Sequence, residues 1–187
     1  MARVIYLRDH PRFRARQQKT AWSCYSEAMK LDEDGDGDGD GAVEAEALYH
    51  RALTLDPNFA LAMVNLGNLR YKKGFSLEAM ALYERAMDLD ARLPEARYNL
   101  AYILFTDCGQ VDIPMSLLRE TLAIDPRFAD AHFQMGLMYR KKGMAANARR
   151  SFTDYIHEAG PNGVFVAEAR GYISNLKLAG IASHGAT

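Results

Sequence analysis

From Thr20 onward the apolar positions recur at intervals of three and four, the spacing of helices buried along one stripe. Tyr25, Ala28 and Leu31 form the first such set. Ala45, Tyr49 and Ala52 form the next, followed by Ala79, Tyr83 and Ala86, then Met115, Leu118 and Leu122, then Ala148 and Phe152. Helix breakers separate several of the helices. Gly74 and Gly143 stop a helix where a residue with positive φ is favoured. Pro57 and Pro126 follow the ends of others, because proline cannot continue a helix and restricts the residue before it. The pattern predicts an all-α chain.

Three segments align with one another: Ala60-Leu-Ala-Met-Val-Asn-Leu-Gly67, Pro94-Glu-Ala-Arg-Tyr-Asn-Leu-Ala101 and Ala129-Asp-Ala-His-Phe-Gln-Met-Gly136. Their starts lie about 34 residues apart. A second helical pattern follows each, and the closing turns read Leu55-Asp56-Pro57, Leu89-Asp90-Ala91 and Ile124-Asp125-Pro126. Gly67, Gly136 and, in the middle copy, Ala101 are small where two helices should cross closely. Ala79, Ala86 and Ala148 are small where the next repeat should stack.

With these landmarks, residues 21 to 162 resemble the tetratricopeptide repeat (TPR) family, and 60–93 matches its pattern nearly residue for residue. The resemblance implies an α-solenoid of four helix-turn-helix repeats. A basic arm over 1–20 precedes a degenerate first repeat, 21–59, whose first helix runs from about Thr20 to Lys30 and whose turn is enlarged by an acidic Asp/Gly insert, 32–41. Repeats follow at 60–93, 94–128 and 129–162. The third carries one extra residue near Asp107-Cys108-Gly109, and Pro114 at a tolerated first-turn position. The fourth has Tyr155 where a small residue is usual, which predicts a looser or altered contact with the next element. That element is a capping helix over 163–180, with Phe165, Ala169, Tyr172, Ile173 and Leu176 on one stripe and Gly180 as its stop, before a tail, 181–187.

The resemblance also assigns the groove. By family geometry, the first helix of each copy lines a concave wall. The residues that wall would offer a peptide are Asn65, Asn68, Tyr71, Lys72, Tyr98, Asn99, Tyr102, Phe105, Phe133, Gln134, Leu137 and Arg140, with Leu61, Val64, Glu95, Thr106, Asp130 and Lys141 beside them. The first copy adds Trp22, Tyr25, Ser26 and Met29. Asn65, Asn99 and Gln134 share one repeat position, and a ladder of amides can hydrogen-bond a peptide backbone without reading its sequence. A similar ladder is found in the glycosyltransferase that modifies serine and threonine with N-acetylglucosamine. Tyr98, Tyr102 and Phe133 are aromatic anchors of the kind that dominate binding hot spots. The family's clamp for chaperone C-terminal carboxylates is not expected. Val64, Asp130 and Gln134 stand where its cations belong, and only Asn68 and Asn99 match.

Charge alters this picture locally. The net charge is −1 with 25% charged residues, giving no global reason to expect a nucleic-acid partner. The first twenty residues are nevertheless basic, and Val4-Ile5-Tyr6-Leu7 is an apolar run that could occupy a groove. Asp36, Asp38 and Asp40 with Gly41 fit the opening of an EF-hand loop. Ala47 replaces its twelfth-position glutamate, so calcium would bind at the roughly millimolar end.

Two cysteines, Cys24 and Cys108, in a chain with no secretory apolar run read as reduced and partly buried, and no stretch approaches a membrane span. The five histidines show no metal or triad spacing, and no phosphate-binding loop occurs, so no cofactor and no enzymatic activity are expected. The reading is a cytoplasmic adaptor for a protein or peptide partner. A secretion-type TPR chaperone and a calcium-responsive regulator stand as alternatives.

Overall fold

The computed structural model describes residues 20–34 and 40–184, and among these it holds nine helices and no strand. They are α1 Ala21–Asp34, α2 Asp40–Leu55, α3 Ala60–Lys72, α4 Ser76–Leu89, α5 Pro94–Thr106, α6 Asp112–Ile124, α7 Ala129–Lys141, α8 Ala145–Ala159 and α9 Val166–His184. The chain divides between Leu89 and Asp90 into two compact units. Unit 1 holds the hairpins α1–α2 and α3–α4. Unit 2 holds α5–α6, α7–α8 and the capping helix α9.

Local chemistry sets the ends of these helices. Thr20 caps α1, its Oγ1 accepting the Ser23 N–H at 3.1 Å. Gly74 and Gly143 turn the chain at φ +84° and +72°. The Leu-Asp and Ile-Asp turns have a shared reason for their aspartate. Asp56, Asp90 and Asp125 each accept, on a side-chain oxygen, the backbone N–H two residues on, at 2.9–3.0 Å.

The small residues sit where packing requires them. A Cβ on Gly67 would lie 2.6 Å from the Tyr83 ring, and one on Gly136 would lie 2.5 Å from the Phe152 ring. In the third repeat, Ala101 shares a buried cluster with Leu118. Ring size on the second helix thus dictates whether the first helix carries glycine or alanine. Ala79, Ala86 and Ala148 are fully buried.

Several details differ from the sequence reading. Helix α1 runs on to Asp34. Helix α9 begins at Val166 and continues through Gly180 to His184, since a single glycine costs a helix only about 1 kcal/mol and need not stop it. Cys24 is fully buried and Cys108 is exposed. Tyr155 makes no loose contact. It is buried, and its hydroxyl accepts the Phe165 N–H at 2.8 Å, fixing the entry to α9.

Candidate functional site

In unit 1 the first-helix polar residues are already engaged. The Asn65 amide donates toward the hydroxyls of Tyr49 at 3.2 Å and Tyr25 at 3.4 Å. Asn68 Oδ1 accepts from the Tyr83 hydroxyl at 2.8 Å. The Lys72 ammonium lies 3.0 Å from Asp32, so the residue assigned to a peptide ties α3 to α1. Tyr71 is half-buried near Tyr83, and Val64 is buried. Desolvation raises the Tyr83 phenol well above its ordinary value.

Helix α1 contributes an open face to unit 1. Trp22 is 60% exposed and stacks on Phe59 at 5.8 Å. With Tyr25, Ser26, Met29 and Lys30 it lines an open cavity of about 480 Å³.

Unit 2 differs at the same repeat position. Gln134 is 6% exposed, and its side chain hydrogen-bonds the Tyr98 hydroxyl. Its Oε1 is buried and finds no hydrogen-bond partner among the described residues. An amide turned through 180° would only exchange an orphaned acceptor for an orphaned donor. The cause lies in two neighbours. Tyr98 occupies the repeat position of Tyr25, but the position of Tyr49 is taken by Leu118, which carries no hydroxyl.

Tyr98 is half-buried against Phe128 at 5.1 Å, with Tyr102 at 6.3 Å. Burial pushes its phenol well up, and the nearby charge of Asp130 adds to this. Asp130 stands one turn before Gln134 on α7. Burial raises its carboxyl above the ordinary aspartate range.

The remaining wall residues of unit 2 divide by exposure. Asn99, Tyr102, Phe105 and Leu137 are half-buried, and Glu95 and Thr106 are exposed. Lys141 lies 5.4 Å over the Phe105 ring and donates to the Gly109 carbonyl at 3.1 Å. Arg140 is exposed and stacks its guanidinium 4.0 Å over the Tyr172 ring.

Phe133 requires a correction. It is 4% exposed, stacked on Phe165 at 4.7 Å and packed against Phe152 and Tyr155. It belongs to the core beneath α9 and presents no face to a partner. Conversely, Phe128 and Tyr172 flank the wall without having been singled out. Tyr172 was legible only as part of the capping stripe, and Phe128 only as a residue after Pro126.

Asp36, Asp38 and the basic arm with its Val4-Ile5-Tyr6-Leu7 run lie outside the described residues. Asp40 opens α2. Among the described residues no group of three or more potential metal ligands comes together, and no helix is long and apolar enough to cross a membrane.

Neither a scan against protein-family models nor a search of curated proteins finds a match. Solved structures do match. MamA is 22% identical, with 83% of this chain and 85% of that one covered, at a TM-score of 0.60. A thermophilic TPR protein of Thermus thermophilus is 21% identical, covering 85% and 82%, at 0.64. The first TPR module of Spaghetti (RPAP3), solved with the HSP90 peptide SRMEEVD, is 22% identical, covering 66% and 94%, at 0.59. The fold is the all-α tetratricopeptide-repeat solenoid.

Proposed function

We propose that this TPR protein is a cytoplasmic, non-catalytic adaptor that holds a segment of a partner protein against the first helices of its repeats. One observation carries the reading. A buried amide oxygen stands without a partner on a wall lined by half-exposed tyrosines, in a fold whose neighbour from RPAP3 was solved holding a peptide. An unsatisfied buried acceptor is costly, and a peptide N–H would satisfy it where the side chains that cover it give way. The aromatic faces of Tyr98 and Tyr102 supply area at little entropic cost. Asn99, one residue from Tyr98, contributes an amide to the same helix. The acidic-tail clamp is not the mode, because Val64, Asp130 and Gln134 replace the cations it needs.

The test is a double substitution. Tyr98→Ala with Asn99→Ala should abolish capture of partner protein from the native cell while leaving helical circular dichroism intact. Capture that survives in a folded double variant would overturn the assignment.

A further inference from the structure

Two acceptors lie one turn apart on α7, and no described residue supplies either with a donor. Gln134 Oε1 is buried and orphaned. Asp130 is exposed, and its carboxylate forms no ion pair with any described residue. Asp130 and Gln134 are four residues apart on α7, so their side chains neighbour one another on the helix surface. Tyr98 on α5 hydrogen-bonds Gln134 and lies near enough to Asp130 for its charge to act on the phenol.

Several cations of this unit are engaged elsewhere. Arg140 is ten residues along α7 from Asp130, about 15 Å of helix, and stacks on Tyr172. Lys141 bonds the Gly109 carbonyl, and the His132 ring pairs with the Pro126 carbonyl at 3.0 Å. Asp130 lies in the first turn of α7, so that helix end already carries its own negative charge and does not call for an anion. A ligand that brings donors and positive charge would complement this face. The rings of Tyr98 and Phe128, 5.1 Å apart, offer apolar surface for the alkyl stem that carries such a charge.

We propose that this face selects a partner segment bearing a lysine or arginine, whose cation pairs with Asp130 while a neighbouring backbone N–H is donated to Gln134 Oε1. The proposal rests on the adaptor reading of the same wall and fixes the sign of charge its partner carries. That sign is opposite to the acidic peptide on the RPAP3 module.

The experiment uses the full chain labelled with nitrogen-15 and three short capped peptides. These are identical except for a central lysine, norleucine or glutamate between leucines. The lysine peptide should shift the Gln134 side-chain amide resonances on titration and bind most tightly. Asp130→Asn should weaken it about tenfold or more, whereas Asp130→Glu should retain it. Equal binding of the norleucine or glutamate peptide, or unchanged affinity in Asp130→Asn, overturns the charge selection and leaves the adaptor reading standing. If no peptide of any charge shifts a resonance of α5 or α7, both proposals fall.

Discussion

Asn65 in unit 1 and Gln134 in unit 2 handle the same repeat position in opposite ways. In unit 1 the amide of Asn65 reaches two tyrosine hydroxyls and stitches three helices together. In unit 2 the amide of Gln134 reaches one, and its other end is left buried and unanswered. The neighbouring charges follow suit. Lys72 and Asp32 satisfy each other in unit 1, while Asp130 stands alone among the described residues of unit 2. A position shared across repeats thus has no fixed role. It stabilises where the neighbouring second helix carries a hydroxyl, and it is left partly unsatisfied where that residue is leucine.

The largest expected effect breaks this comparison from the core side. Phe133→Ala removes a ring packed against Phe152, Tyr155 and Phe165, and should cost about 3–5 kcal/mol in chemical denaturation. If Phe133 were instead a wall residue, its removal would cost little stability and weaken partner capture.

A smaller pair of effects tests the amides directly. Asn65→Leu severs the bonds to Tyr25 and Tyr49 and should destabilise by about 1–3 kcal/mol. Gln134→Met exchanges an orphaned carbonyl for an apolar chain of similar length and should fall within about 1 kcal/mol of neutral, while losing partner binding. Equal losses in the two variants would show that the amides do the same work.

The pH dependence should also diverge. The Lys73 hydrogen bond holds the Glu46 carboxyl below its ordinary value. Burial opposes this, and the charge of Arg70, 2.6 Å away, assists. A lowered carboxyl gives stability that is fully present above its unfolded value, near 4.5, and is lost as pH falls through the folded value. Glu46→Gln should therefore flatten the acid limb of a thermal-midpoint profile. Asp130, raised above 3.8 by burial, has the reverse sign. Its contribution favours the fold below the unfolded value and disappears as pH rises through the folded one. Asp130→Asn should slightly raise the neutral-pH midpoint and leave the acid one unchanged, the smallest effect of the set.

How much of this was legible in the sequence depends on the range of the interaction. The hairpins were legible because Gly67, Gly136, Ala79 and Ala86 answer to a fixed period, and Gly74 and Gly143 mark turns whose geometry is local. Phe133 was misplaced because its cover comes from α9, an element outside the repeat pattern. Of the looser or altered contact expected at Tyr155 it is the altered one that occurs, since its hydroxyl partner is the Phe165 N–H beyond a turn. The amide ladder was visible as a column of residues. Whether each member was satisfied depended on Tyr25 and Tyr49 in one case and Tyr98 and Leu118 in the other. That information sits on a preceding repeat, not on the ladder itself.

The close approach of Gly67 to Tyr83 and of Gly136 to Phe152 carries a consequence for anyone recombining these modules. Grafting the second helix of one copy onto the first helix of another joins parts cut for different partners. A ring set against Ala101 would collide, and Leu118 set against Gly67 would leave a void. Hairpins should therefore transplant as whole units, with their two halves travelling together.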